Sequence, residues 1–278
     1  MNNIISTSND SDQTIDKLKK DLEYSFKYGN DGKYNRFILA ALGSIPWIGG
    51  LLSAIAALSA ENEQSEVNEL QKRWIEEHQK KILELSTSMD QMLHHLDDLG
   101  PEIDQRINSP EYLSLVKRAY RSWDQTDSME KRSLIQRVLT NAGAVSLCPD
   151  DLIRIFMDWI DNYHEAHFVV IKQIYNQQGI SRGQIWDNIS DMRPAENSAD
   201  ADLFKLLIRE LNLGGIIRQY RPTNEHGDFT KQKSRIKSSS SKTLKSAFDD
   251  SEPYELTELG TRFVHYCMED VVTRIEKG

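Results

Sequence analysis

Cysteine is nearly absent from this chain, which holds only Cys148 and Cys267 among its 278 residues. Two cysteines so far apart cannot form a disulfide framework, and they cannot supply the ligands of a structural zinc site. We therefore expect a protein of the reducing cytoplasm. The N-terminus also lacks a basic stretch followed by an apolar run, so the sequence predicts no cleaved signal peptide.

Motifs that carry catalysis or hold cofactors are also missing. The chain has no Walker loop, no dinucleotide glycine pattern, no HExxH motif and no cysteine pairs with zinc spacing. His164 and His167 have the spacing of helical metal ligands, but no third ligand is apparent, and the polar face of a helix is the better interpretation. Arg73 and His78 have the R-x4-H spacing of HEPN-type ribonucleases, yet Trp74 replaces the usual polar residue after the arginine. We therefore predict no enzymatic activity, no cofactor and no metal.

Charged residues are absent from positions 37–60, although 28% of the chain is charged. A helix over this stretch would extend about 36 Å, longer than the roughly 30 Å of a bilayer core. Pro46 removes a helix hydrogen bond in the middle, and Gly43, Gly49 and Gly50 surround it. The sequence therefore predicts a helical hairpin with a turn near Pro46, whose two arms are each too short to span a membrane.

Three interpretations of this hairpin are open: the centre of a helical core, a sheltered hairpin that inserts into a membrane on a trigger, or a constitutive anchor. Small residues and a tryptophan at the turn suit insertion. In composition the segment resembles the membrane-active helical effectors of bacterial defence systems. The candidate membrane-inserting residues are Ile45, Pro46, Trp47, Ile48, Leu51 and Leu52.

Apolar residues recur at helical spacing after a polar tail at 1–13, which we predict to be disordered. Residues 14–165 are predicted to form an all-helical domain that contains the hairpin. Its longest helix is predicted over 62–99, because an apolar stripe steps by three and four residues for more than four heptads. The stripe comprises Val67, Leu70, Trp74, His78, Ile82, Leu85, Met89, Met92, Leu96 and Leu99.

Shorter helices are predicted from the residues that favour helix starts. One begins at Pro110, and one follows Ser128 as an N-cap. A third begins at Pro149 and is predicted to continue toward His167. The first part of the chain has almost no alternation with a period of two, so it is predicted to be all-α.

Residues 166–278 follow a different order: a helix, a short helix capped by Ser181, a third helix, a strand, a long polar segment, a second strand and a closing helix. This order resembles a winged helix of the kind found in bacterial MarR and PadR regulators. The resemblance is carried by LLIRELNLGGIIR at 206–218 and YELTELGTRF at 254–263, and it covers about 100 of the 278 residues. It implies a winged-helix domain with a long wing loop at 222–252. Together with the helical pattern of the first part, we expect a mainly α protein: an N-terminal helical bundle with the hairpin and the long helix, followed by the winged helix.

In DNA-binding members of that family the third helix enters the major groove and the wing contacts the phosphate backbone. The third helix here mixes basic with acidic residues, which suits DNA poorly. Residues 216–248 hold eight basic residues against Glu225 and Asp228, a net charge of +6 in a chain of −9. This segment is either a solvated loop, a nucleic-acid-binding arm or a contact to anionic lipid. The candidate nucleic-acid-binding residues are Lys205, Arg209, Arg218, Arg221, Lys231, Lys233, Arg235 and Lys237.

The sequence favours a non-enzymatic effector or interaction protein. Its winged helix would bind nucleic acid or a partner protein, and its hairpin would act on a membrane, as in bacterial phage defence. Such a protein is expected in the cytoplasm and on a membrane after activation. The alternative is a DNA-binding transcriptional regulator, in which the long helix and the closing helix would form a homodimer.

Overall fold

The computed structural model describes residues 33–50, 65–144, 148–221, 225–226 and 246–268, apart from the side chains of 65–77 and 79. These residues are mainly helical, so the mainly α prediction is confirmed. They divide into two compact units, and the division lies between Asp161 and Asn162. The predicted tail at 1–13 and most of the predicted wing loop lie outside the described residues.

The first unit consists of helices. Its first helix ends at Leu42, the chain turns through residues 43–45, and it is helical again over 46–50. The rest of the second arm of the predicted hairpin, from residue 51 to 60, lies outside the described residues. The helices of this unit are α1 (Asn35–Leu42), α2 (Ser65–Asp98), α3 (Asp104–Ile107), α4 (Pro110–Gln125), α5 (Met129–Ala144) and α6 (Asp150–Asn162), with a 3-10 turn at Pro101–Ile103.

Local capping explains where α4 and α5 begin. The side chain of Ser109 accepts a hydrogen bond from the backbone N–H of Tyr112, and Pro110 takes the first helical position. The side chain of Ser128 accepts from the backbone N–H of Lys131. Serine satisfies backbone donors that lack a partner at a helix start, and proline lacks that donor. The predicted starts of both helices are confirmed.

The stripe on α2 forms part of the core of this unit. Its residues from Ile82 to Leu96 are almost completely buried, as are their neighbours on α4 and α5. The helix α1 packs against α4, and α4 against α5. The predicted apolar stripe is therefore confirmed from Ile82 to Leu96, whereas His78 and Leu99 are only partly buried.

The helix predicted to run from Pro149 toward His167 is instead broken in two. The helix α6 ends at Asn162, and α7 begins at Glu165. His164 adopts an extended conformation, and its backbone N–H donates to Nδ1 of His167 at 3.0 Å. The predicted continuation is therefore wrong, because the chain is extended at His164 and a new helix begins behind it, with the side chain of His167 accepting from the backbone of its N-cap residue.

The second unit combines helices with a small antiparallel sheet. Its strands are ordered β1-β3-β2, with Ile180 opposite Tyr254 and Ile217 opposite Leu256. The helix α7 packs against two other helices and against β3. The elements are α7 (Glu165–Asn176), β1 (Ile180–Ser181), α8 (Arg182–Ile189), α9 (Ala199–Leu213), β2 (Ile217–Gln219), β3 (Pro253–Leu256) and α10 (Glu258–Cys267).

The Leu-Thr-x-x-Gly motif at 256–260 has a packing role in this unit. The backbone N–H of Thr257 donates to the carbonyl of Ile216 at 2.9 Å, and its hydroxyl donates to that of Gly215 at 2.6 Å. The same hydroxyl accepts from the N–H of Gly260 and caps α10. A Cβ at Gly260 would lie 2.2 Å from the carbonyl oxygen of Ile216. Glycine therefore allows α10 to start directly beside the segment that enters β2.

Candidate interaction surface

The helix α9 is apolar on its outward side as well as in the core. Its inner face buries Phe204, Ile208 and Leu211. Two leucines on the opposite side, Leu203 and Leu206, are 51% and 46% exposed, and Leu213 at the helix end is 76% exposed. Spacings of three and seven residues place them on one side of the helix. Because outward helix positions are ordinarily polar, such a row is a candidate surface for binding.

A cavity of about 200 Å³ lies beside this row, between α7, α8 and α9. Its mouth is apolar, since Val169 is 38% and Ile189 41% exposed. Leu203 belongs to both the cavity and the outward row, so the two surfaces are continuous. The lining residues are Ala166, Val169, Val170, Trp186, Ile189, Asp200, Leu203, Phe204 and Leu207.

Aromatic packing fixes one wall of the cavity. The ring of Trp186 meets the rings of Phe204 and Phe248 edge-on, at centroid distances of 5.2 and 5.1 Å. Phe204 and Phe248 are stacked at 5.9 Å. The indole N–H of Trp186 donates to the carbonyl of Met192 at 2.8 Å. The two cavity-lining aromatics, Trp186 and Phe204, are therefore held in place, which is typical of a preformed pocket.

The loop and helix start beside the cavity are acidic. Residues 187–202 contain five acidic residues and one arginine, a net charge of −4. That arginine, Arg193, makes two hydrogen bonds to Asp187, which hold the pKa of Asp187 below its usual range. Hydrogen bonds from the backbone N–H of Ala247 and from the Ser246 hydroxyl lower the pKa of Glu196. Both carboxylates are therefore charged at neutral pH.

Four of the eight predicted nucleic-acid-binding residues lie in the described part of the chain, and two of these four contact carboxylates. Nζ of Lys205 lies 3.6 Å from Glu196 and 3.8 Å from Asp202. Nε of Arg218 donates to the buried Glu255 at 2.7 Å. Both cations are thus bound to carboxylates. Arg209 and Arg221 are exposed, whereas Lys231, Lys233, Arg235 and Lys237 lie outside the described residues.

Four of the predicted membrane-inserting residues are described, and two of them are packed into the first unit. Ile45 and Ile48 are almost completely buried, and Pro46 is exposed. In α1 the ring of Phe37 meets those of Tyr112 and Tyr120 on α4. No helix among the described residues has both the length and the apolar character needed to cross a bilayer. Leu51 and Leu52 lie outside the described residues.

Trp47 is fastened to the helical unit by a polar contact that we name the Trp47 latch, comprising Trp47, Lys81 and Asp124. The indole N–H donates to Oδ1 of Asp124 at 2.6 Å. Nζ of Lys81 lies 2.7 Å from the same oxygen and donates to the Asp124 carbonyl at 3.0 Å. The indole ring also meets the ring of His78 at 5.6 Å. A partly buried indole N–H needs an acceptor, but its sequence position does not reveal which one.

The two histidines with metal-like spacing serve the fold instead. His167 is almost completely buried, and its Nδ1 accepts from the backbone of His164. Its Nε2 therefore carries the proton and donates to Glu210 on α9 at 2.8 Å. The ring of Tyr163 stacks on that of His167. Among the described residues, no group of three or more metal-ligating side chains could hold an ion.

The candidate functional residues that the sequence did not indicate are those of the apolar row and the cavity. Leu203 and Leu206 stand between buried positions of α9, so a helical projection shows a helix that is apolar on two sides. A helix that is apolar on two sides was the sequence signal that could have indicated this surface. Val169 and Ile189 join this surface only through the packing of three helices. Comparison of the chain with family models, with characterised proteins and with solved structures gives no match.

Proposed function

We propose that this is a non-enzymatic interaction protein whose second unit is a winged helix that binds a partner protein. The winged-helix assignment is supported by the element order helix, strand, helix, helix, strand, strand, helix. It is also supported by the antiparallel order β1-β3-β2, with the long polar segment between β2 and β3 at the place of the wing. The partner binds at the apolar row of α9 and at the adjoining cavity.

The observation that carries this proposal is the outward face of α9. This helix corresponds to the one that enters the major groove in DNA-binding winged helices. Insertion here would place Leu203 and Leu206 against polar base edges and would bring Asp202 toward phosphates. Because Lys205 is already bound to carboxylates, its charge does little to offset these unfavourable contacts with DNA. Protein interfaces, by contrast, bury apolar side chains at their centre.

Two sets of variants test the choice between protein and nucleic acid. We expect the double variant Leu206→Lys and Leu213→Lys to lose co-purifying protein partners, because it charges the apolar row without changing buried residues. The matched set replaces four of the six basic residues of the wing loop by alanine and is expected to retain those partners. Retention of nucleic acid by the wild type, lost in the alanine set and kept in the leucine variants, would favour the DNA-binding regulator instead. The alanine set is Lys231, Lys233, Arg235 and Lys237.

A second candidate function is membrane activity of residues 37–60, and release of the Trp47 latch would be its first step. The observation that favours it is an uncharged segment interrupted by a turn at 43–45, whose tryptophan is held by a polar contact. Apolar packing alone would not need that contact. Membrane activity of this kind would suit a role in bacterial phage defence.

Dye release from lipid vesicles tests this second function. Asp124→Ala is expected to release dye where the wild type does not, because it removes the acceptor that holds Trp47 and Lys81. Asp127→Ala removes an exposed carboxylate nearby and serves as the matched control. If Asp124→Ala proves destabilised but releases no dye, the segment is a structural core and the membrane function is wrong.

A further inference from the structure

We propose that the cavity between α7, α8 and α9 takes one large apolar side chain from a partner segment whose flanking residues are basic. This inference rests on the proposed function of the second unit as a protein-binding module. It goes further by naming the chemistry of the segment and the position of its anchor. Three features carry it: the size of the cavity, its preformed apolar lining and the charge around it.

The size of the cavity suits a side chain better than a free ligand. Sites for drug-sized ligands typically enclose roughly 300–1,000 Å³. The cavity of about 200 Å³ is smaller. A leucine or an aromatic side chain held by a peptide backbone fits such a volume, because the rest of the segment stays outside. Anchor side chains in pockets are also the residues that dominate protein interfaces.

The lining is apolar and already formed. Val170 and Phe204 are buried at its base, while Val169, Ile189 and Leu203 surround the mouth with exposed apolar carbon. The aromatic contacts of Trp186 fix the wall. An anchor side chain therefore enters without opening the core. Its binding is favourable because it covers apolar surface that otherwise contacts water.

The charge around the cavity decides what flanks the anchor. Asp200 lines the cavity itself, and the adjoining residues 187–202 carry a net charge of −4. Within this range Arg193 is bound to Asp187, and Lys205 of α9 lies 3.6 Å from Glu196 and 3.8 Å from Asp202. Five acidic residues against these two cations still leave a net charge of −3 beside the cavity. Lysine and arginine beside the anchor complement this charge, whereas phosphates and acidic segments are repelled.

The same charge argues against a second copy of this chain as the occupant. In a two-fold symmetric dimer the same surface patch meets itself. The two acidic loops would then face each other across the interface. Juxtaposed like charges of this kind are unfavourable.

Fluorescence anisotropy with labelled nine-residue peptides and the full chain tests the inference. The probe has a central leucine or tryptophan with two lysines on each side. The comparison peptides replace the central residue by alanine, or the four lysines by glutamate. We expect each replacement to weaken binding at least about tenfold, because one removes the anchor and the other reverses the charge.

Variants of the chain locate the binding. Ala166→Trp is expected to weaken binding of the basic peptide at least about tenfold, because a large side chain at this exposed position fills the mouth. Asn176→Trp, at the exposed end of the same helix and away from the cavity, is the matched control and should bind as the wild type does. Asp200→Asn should weaken binding of the lysine peptides and flatten its salt dependence.

The inference is overturned if no lysine peptide binds below about 1 mM, if the glutamate peptide binds equally well, or if Ala166→Trp leaves binding unchanged. A dimer of the wild type that Ala166→Trp dissociates would assign the cavity to a second copy and would also overturn it. The two proposals can fail separately. If the Leu206→Lys and Leu213→Lys variant loses its protein partners but no peptide binds the wild type, the proposed function stands and only this inference is wrong.

Discussion

Replacing Asp124 by alanine is the sharpest test of how the uncharged segment is held. In the Trp47 latch one carboxylate oxygen accepts from the indole of Trp47 and lies 2.7 Å from Nζ of Lys81. Alanine removes both interactions and leaves the indole N–H without this acceptor. Asparagine keeps an acceptor for the indole but removes the charge that binds Lys81.

The cost follows from the burial of the groups involved. A hydrogen bond to a charged group contributes about 1.5–3 kcal/mol, and the partly buried indole bond belongs near the lower value. The Lys81 side chain is 31% exposed, so the ion pair adds only about 1 kcal/mol after screening by solvent. We expect Asp124→Ala to cost about 2–3 kcal/mol of local stability, and Asp124→Asn about 1 kcal/mol.

Hydrogen exchange followed by mass spectrometry measures this cost where it arises. A local loss of 2–3 kcal/mol accelerates exchange about 30- to 150-fold in peptides that cover residues 34–50. Peptides from α9 should exchange at the wild-type rate, and Asp127→Ala should change neither region. If the exchange rates of Asp124→Ala over 34–50 stay within about twofold of those of the wild type, this prediction is refuted. Apolar packing alone would then hold the segment, and the Trp47 latch would not contribute.

Three further predictions concern the second unit and its basic segment. Gly260→Ala should destabilise this unit by about 1–3 kcal/mol in urea unfolding, because its Cβ would meet the Ile216 carbonyl at 2.2 Å; an unchanged midpoint would contradict this packing. Glu196→Gln should destabilise this unit at neutral pH, because folding lowers the pKa of Glu196 and so favours its charged form. The difference in unfolding free energy between variant and wild type should vanish as pH falls through that lowered pKa. A difference that persists in acid would exclude an ionic origin. If the basic segment binds duplex DNA, alanine variants should make the slope of log K against log salt concentration shallower by about 0.9 for each phosphate contact removed, and an unchanged slope would refute that role. The residues replaced by alanine are Lys231, Lys233, Arg235 and Lys237.

Signals within a few residues of each other predicted much of the fold. Ser109 with Pro110, and Ser128, mark the starts of α4 and α5, and the Ser181 side chain caps α8 as its sequence predicts. The chain also turns beside Gly43 and Pro46. Such signals are readable because a cap and its backbone donor stand only three residues apart. The error at His164 has the opposite cause, because the N-cap residue and its partner are both histidines, which are not among the residues that usually mark a helix start.

The sequence by itself determined the helical character of the chain, the apolar stripe of α2 and the excess of charge in particular segments. Only the tertiary structure decided which charged side chains are already bound within the protein and which can bind a partner. Lys205 and Arg218 count as basic residues in any sequence, yet each is bound to a carboxylate brought to it by folding. Asp124 reaches Trp47 across 77 positions of the chain. The residue type determines the chemistry of a side chain. The partners of that side chain depend on packing between elements, which no local sequence pattern encodes.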